Sequence, residues 1–284
     1  MHQSLNKTST EERLQSADGT TIFMRSWRPQ GAADAVVVIV HGFNSHSGYY
    51  GWVADQLTAS RLAVYALDLR GRGRSDGERY FIESFGEYLA DVHAVVELAR
   101  SREPGLPIFV LGHSAGGVIS SVYALEHQEA LAGLVCESFA FRVFAPDLAL
   151  TLLKGVSHVA PHLHVLRLPI DEFSRDPEVV RAMKADPFVT DEVQPTLTVA
   201  EMVRADERLE REFPLFRLPL LILHGTTDKV TRAEGSALFH RSAGSADKTL
   251  KLYEGHAHDL LNDLDKEVVM TDVTSWIRAR LGTE

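Results

Sequence analysis

The stretch Val110-Leu111-Gly112-His113-Ser114-Ala115-Gly116-Gly117 constrains this chain more than any other. An apolar run, 108–111, meets Gly-x-Ser-x-Gly, and a mixed small and apolar segment follows with Val118, Ile119, Val122, Ala124 and Leu125. Strand, abrupt turn and helix in that order are what a nucleophile elbow requires. Gly112 and Gly116 lack a Cβ, so strand and helix can close around Ser114 and leave its hydroxyl protruding from a strained turn. Ala115 opens the helix, where a backbone N–H has no intrahelical acceptor. A serine hydroxyl is a weak nucleophile at neutral pH. The motif therefore has meaning only if the rest of the chain supplies a base and a fold that brings it close.

The flanking pattern predicts such a fold. Ala35-Val36-Val37-Val38-Ile39-Val40 is apolar without alternation, as in a strand covered on both faces. Similar runs recur at 63–68, 131–137, 218–223 and 249–253. Between them lie helical patterns: 50–60, a stretch after the capping box Ser84-x-x-Glu87, the elbow helix to about 126, a stretch after Thr231-x-x-Glu234, and 266–281. Ahead of them, 13–16 and 21–27 read as a hairpin through Asp18-Gly19, and residues 1 to about 11 as a flexible arm. Strands alternating with helices mean βαβ units and a mostly parallel sheet of eight strands with helices on both faces. The rhythm breaks over 141–217, which is leucine- and proline-rich and reads as a helical insertion. Within it Leu148, Leu150, Leu152 and Leu153 form one cluster, Asp176-Pro177 opens a helix over 178–184, and 198–212 reads as a charged, exposed helix with Val199, Met202, Val203 and Leu209 on one side. The expected organisation is thus a core of 1–140 and 218–284 carrying a cap of 141–217.

Composition narrows the partners. The 284 residues are 45% apolar and 24% charged, an ordinary globular balance. A formal charge of −10 argues against nucleic acid and anionic membranes as general partners. The single Cys136 lies in an apolar run and permits no internal disulfide. The polar first dozen residues lack the core of a signal peptide, and the apolar runs are too short to cross a bilayer. A cytoplasmic protein is the expectation.

A serine nucleophile needs an imidazole base and an acid to orient it, and in α/β-hydrolase topology these follow it in the order acid, then histidine. Asp228, in His224-Gly225-Thr226-Thr227-Asp228, falls just after a late strand; Asp247 precedes the last strand and fits less well. The loop after the last strand, Tyr253-Glu254-Gly255-His256-Ala257-His258, offers two histidines that position alone does not separate. An oxyanion hole needs a second N–H besides that of Ala115; Phe43, in His41-Gly42-Phe43 after the 35–40 strand, is the candidate. His41 is expected to be a structural hydrogen-bonder. His158, His162 and His164 have spacings a metal could use, but no carboxylate or cysteine set accompanies them, and no metal or organic cofactor is expected. Gly71-x-Gly73 is no dinucleotide fingerprint, since Asp76 stands where the third glycine belongs.

These residues together resemble the serine α/β-hydrolases of the monoacylglycerol lipase and lysophospholipase group. The similarity runs through His41-Gly42-x-x-x-His46-Ser47-Gly48-x-Tyr50, Asp68-x-Arg70-Gly71-x-Gly73-x-Ser75-x-Gly77 and Gly105-Leu106-Pro107. It continues through the elbow, Ser174-Arg175-Asp176-Pro177-Glu178-Val179-Val180, His224-Gly225-x-x-Asp228 and Tyr253-Glu254-Gly255-x-x-His258. The resemblance implies that the catalytic histidine is His258, with Ser114 and Asp228 completing the triad. It also implies a cap over the site, an acyl pocket beneath it and transient docking of the cap on lipid aggregates. The chain departs from the family at Phe43, Asn44, Ser45 and Tyr49, where the family shapes the polar end of its pocket; Ala115 replaces a methionine and Arg72 a histidine. Asn44, Ser45, Tyr49 and His113 are accordingly the candidate substrate-binding residues. The expected activity is hydrolysis of monoacylglycerol-like or other apolar monoesters through an acyl-enzyme. A small aromatic or alkyl ester is the alternative substrate. The alternative from another class is a non-catalytic protein that binds a small apolar ligand under the cap.

Overall fold

A computed structural model describes residues 9–141 and 147–282, without the side chains of 147–151. Eight strands form one sheet in the order β1 (Thr10–Gln15), β2 (Thr21–Trp27), β4 (Leu62–Leu67), β3 (Ala35–Val40), β5 (Ile108–His113), β6 (Gly133–Glu137), β9 (Leu220–Gly225) and β10 (Lys248–Tyr253). The β1–β2 and β2–β4 pairs are antiparallel and all others parallel. This is the eight-stranded, mostly parallel sheet of an α/β-hydrolase fold.

Strand periodicity assigns the core. On β3, Val36, Val38 and Val40 face one apolar cluster, while Ala35, Val37 and Ile39 face a second one. The first is covered by α2 (Phe85–Arg102), α3 (Ala115–Glu126) and α7 (Ala233–Ser242), the second by α1 (Gly51–Ala59) and α8 (Lys266–Arg278). Both faces are closed, so each buried Val or Ile contributes about 1.5–3 kcal/mol. An unbroken apolar run is the sequence image of this two-sided burial. Parallel strands with right-handed crossovers put all their C-terminal ends on one edge. That edge receives the segments after Val40, His113, Glu137, Gly225 and Tyr253.

Between β6 and β9 lie α4 (Asp147–Val156), α5 (Pro177–Ala185) and α6 (Thr196–Glu212), with β7 (His164–Leu166) pairing β8 (Gln194–Pro195) in a small antiparallel ribbon. The ribbon is absent from the sequence reading, because two- and three-residue strands leave no periodicity. Asp176 caps α5, accepting from Glu178 N–H at 2.9 Å, with Pro177 at the first helical position. The helix expected to be exposed, α6, instead buries Thr198, Val199, Ala200, Met202, Ala205 and Leu209. Apart from Asp206, its charges lie on the other faces, which a tally of charge reads as exposure. Leu148 and Leu150 lie outside the described side chains, Leu152 is exposed, and Leu153 turns inward. The flexible arm is shorter than expected: Thr10 and Glu11 already pair with Ser26 and Arg25, and residues 1–8 lie outside the described residues. Both capping boxes fail in detail. Ser84 makes no side-chain cap bond, Glu87 reaching Glu83 N–H instead, and the Thr231 hydroxyl is taken by Asp228. Among the described residues no helix is long and apolar enough to cross a membrane.

Candidate active site

The turn from β5 into α3 holds Ser114 at φ 54° and ψ −118°, a conformation L residues avoid. Two glycines make it possible. A Cβ on Gly112 would stand 2.5 Å from Gly116 O, and one on Gly42 would stand 2.8 Å from Ser114 Cβ. The elbow is tied down by Ser114 N–H donating to Glu137 O at 2.9 Å and by Gly117 N–H donating back to Ser114 O at 2.9 Å.

His258 Nε2 lies 2.9 Å from Ser114 Oγ, and its Nδ1 lies 2.8 Å from Asp228 Oδ2. The ring is fully buried, with Phe173 edge-on at 5.0 Å between centroids. Nδ1–H donating to the carboxylate leaves Nε2 free to accept, and an imidazole so placed can take the Ser114 proton. Burial alone would raise the Asp228 carboxyl, but the charges and hydrogen bonds of His258 and His224 hold it well below the usual carboxylate range. Backbone N–H groups of Val230 and Thr231 donate to Asp228 Oδ1 at 2.7 and 2.9 Å, and the Thr231 hydroxyl donates to Oδ2 at 2.8 Å. Asp228 thus also closes its own turn. Asp247 is remote from all this, in an ion pair with Arg280. His256 is buried, with Nδ1 near Glu254 O at 3.2 Å, outside the Ser114–His258–Asp228 line.

Phe43, Ser114 and Ala115 all line a cavity of about 430 Å³. Neither the Phe43 N–H nor that of Ala115 donates to another described residue. His41 braces this loop, its Nε2 accepting from Leu69 N–H at 3.0 Å and its Nδ1 lying 2.6 Å from Gly42 O. Burial pushes the His41 pKa down to about 3, so the ring stays neutral, as a structural hydrogen-bonder requires. The remaining walls are largely apolar: Leu153, Leu166, Leu168, Val199, Met202 and Val230 among them.

None of the four residues expected to contact substrate lines this cavity. Asn44 Nδ2 donates to Val189 O at 3.2 Å and Tyr49 Oη donates to Asp186 Oδ2 at 2.9 Å, tying the loop to the inserted segment. Ser45 is buried beside Tyr50. His113 pairs with buried Glu137, and its ring lies 5.0 Å from that of His258. Asn44 Nδ2, Tyr49 Oη and His113 Nδ1 have protein partners, while Asn44 Oδ1 and His113 Nε2 have none among the described residues. Of the three histidines between β6 and β9, His162 pairs with Glu78 and stacks on Phe81, and His158 lies near Arg204.

Sequence reasoning overlooks several supports. His224 Nε2 stands 3.1 Å from Asp228 Oδ2, and the Ser138 hydroxyl donates to His258 O at 2.5 Å. Glu137 Oε1 accepts from Leu260 N–H at 2.8 Å, joining the elbow to the histidine loop. His224 stands four residues before Asp228, and Glu137 ends a buried strand at the edge where the site gathers; those were the available signals.

The geometry has counterparts. The sequence model of the family described as "Serine aminopeptidase, S33" matches residues 31–265. The monoacylglycerol lipase of Mycolicibacterium smegmatis is 33% identical over 98% of this chain and 100% of its own. The human monoglyceride lipase is 33% identical over 95% of this chain and 91% of its own. In three dimensions, a soluble variant of the Saccharomyces cerevisiae monoglyceride lipase, solved with a substrate analogue, superposes with a TM-score of 0.88. It is 22% identical and covers 100% of this chain and 98% of its own, a likeness of fold. With most of its length matched and a Ser–His–Asp arrangement at the sheet edge, the chain belongs to the serine aminopeptidase S33 family of α/β-fold serine hydrolases.

Proposed function

We propose that the protein is a carboxylic ester hydrolase that cleaves monoacylglycerol-like monoesters through an acyl-enzyme on Ser114. The observation that carries this reading is the 2.9 Å approach of His258 Nε2 to the Oγ of Ser114, a residue that lines a largely apolar cavity. Ser114 Oγ attacks the ester carbonyl carbon while its proton passes to His258 Nε2. The carbonyl oxygen becomes an oxyanion held by the N–H groups of Phe43 and Ala115. Collapse of the tetrahedral adduct breaks the bond to the alcohol, which takes the proton from His258. Water then attacks the acyl-enzyme by the same route and releases the acid. Asp228 keeps the imidazole in the required tautomer throughout.

The acyl group lies in the cavity, whose volume suits a small lipid chain. The segment 141–217 is the cap. Its exposed Leu152, Val156, Val159 and Leu163 lie on the same stretch that supplies Leu153 and Leu166 to the cavity, which favours transient docking on lipid aggregates. Names of relatives at 33% identity support monoacylglycerols as the leading substrate.

Fluorophosphonate labelling of wild type and Ser114→Ala, followed by turnover of monoacylglycerols beside a chain-length series of aryl esters, tests the reading. Labelling confined to the serine enzyme and turnover of medium or long chains are expected. Equal labelling of both proteins would end the hydrolase reading. Turnover of short aryl esters alone would end the monoacylglycerol one.

A further inference from the structure

The wall that α6 gives the cavity is apolar except at one residue. Val199, Met202, Val203 and Asp206 line it, at i, i+3, i+4 and i+7, a single helical stripe. Asp206 lies about 10 Å along the helix axis from Val199 at the α-helical rise per residue. Its Oδ1 is buried and has no hydrogen-bond partner among the described residues. The cations that line the same cavity are engaged elsewhere, Lys229 with Glu172 at 2.9 Å and Arg167 on Thr190 O at 3.2 Å. Burial, reinforced by the like charges of Glu207 and Glu210, pushes the Asp206 carboxyl well above the usual carboxylate range. Its surroundings thus favour the protonated form, which has a hydroxyl to donate and a carbonyl to accept. A leucine would fill this position without the penalty of an unpaired polar atom. Asp206 lines the cavity, so a group that fills the cavity can supply the partner, and on the ester-hydrolase reading above that is the acyl chain.

We propose that Asp206 is a specificity-determining residue that hydrogen-bonds an oxygen function within the acyl chain, so that the preferred acyl groups are hydroxy- or oxo-acyls rather than plain hydrocarbon chains. The carboxyl hydroxyl donates to a keto or hydroxyl oxygen, and the carboxyl carbonyl accepts from a hydroxyl. A plain chain leaves the carboxyl buried and unpaired, and a site built to bond a substrate hydroxyl discriminates against analogues without it.

The test compares kcat/KM for p-nitrophenyl dodecanoate with a positional series of its hydroxy and keto derivatives, in wild type, Asp206→Leu and Asp206→Asn. Each preference is a ratio within one protein, so differences in folded fraction cancel. Wild type is expected to prefer at least one mid-chain oxygenated isomer by roughly tenfold or more, the effect of satisfying one buried polar group. In Asp206→Leu the preference should vanish or reverse, with kcat/KM for the plain ester rising; Asp206→Asn should retain part of it. Equal use of all isomers by wild type, or a preference that survives in Asp206→Leu, would overturn the proposal. So would a preference for amino-substituted chains lost in the same variant, since that is the behaviour of an ionised carboxylate. Fluorophosphonate labelling of the same samples separates the two levels: labelled enzyme without the preference defeats this inference alone, and unlabelled enzyme defeats the hydrolase reading with it.

Discussion

Replacing Glu137 by glutamine should remove a pH-dependent part of stability whose size and window follow from the structure. The Glu137 carboxylate is fully buried against His113 Nδ1. Burial of His113 works against its protonation, but the charge of Glu137, helped by Asp259 and Asp228, prevails and pushes the pKa up to about 9. In the unfolded chain the same imidazole titrates near 6.5. A group whose folded pKa is raised stabilises fully below its unfolded value and loses that contribution as pH rises through the folded one. The interval between about 6.5 and about 9 corresponds to about 3 kcal/mol. Glutamine keeps the shape and an acceptor for Leu260 N–H but not the charge. Urea unfolding followed by tryptophan fluorescence, at intervals from about pH 6 to about pH 10, should show wild type more stable by about 3 kcal/mol at the acid end. The gap should close as pH passes 9. Because the comparison is a difference between two proteins, the other titrating groups drop out. A gap that stays constant with pH, or widens towards alkali, would refute the charged-pair argument.

Three further outcomes are expected. Asp228→Asn should lower kcat for ester hydrolysis on the order of 10⁴-fold, since an amide selects the wrong imidazole tautomer; because His258 and His224 keep the native carboxyl ionised far into acid, the acid limb of the wild-type pH–rate profile should not be set by Asp228. Gly116→Ala should cost about 3 kcal/mol in urea unfolding, because the new methyl meets the backbone oxygens of Val40 and His41, which cannot rotate away. Arg72→Met should cost about 3–5 kcal/mol by stranding Glu192, and adding Glu192→Gln should recover much of it; Arg72 is fully buried, pairs with Glu192 and Gln194, and stacks over Phe43 at 4.2 Å.

Much of the site was legible because its determinants are local. Elbow glycines, unbroken apolar strands and an acid and a histidine after late strands each leave a mark within a few residues. The choice between His256 and His258 was not local: which imidazole faces Ser114 depends on how the loop folds back, and only resemblance supplied it in advance. The supports were hidden for a related reason. Glu137 and Leu260 meet across 123 positions, and Arg72 and Glu192 across 120, distances over which one sequence carries no pairing signal. Nothing local says that Asn44 will bond Val189 O or Tyr49 bond Asp186, contacts that span 145 and 137 positions. Asp206 did leave a trace, as the one charge on the 199-202-203-206 stripe, but charge alone does not say whether a stripe meets solvent or a cavity.

The position of α6 has a consequence for how such a pocket can change over generations. One face of this helix, with Met202, Ala205 and Leu209, belongs to the main core that also holds Val118 and Ile119 of the elbow helix, while the adjoining face forms the cavity wall. Swinging that wall outward would unpack the core, so the helix is a fixed jamb rather than a door. New substrate ranges on this side can arise only by exchanging side chains on a stationary backbone. Each exchange is also a core-edge mutation, and variants that widen the pocket should tend to be those that the fold can least tolerate in combination.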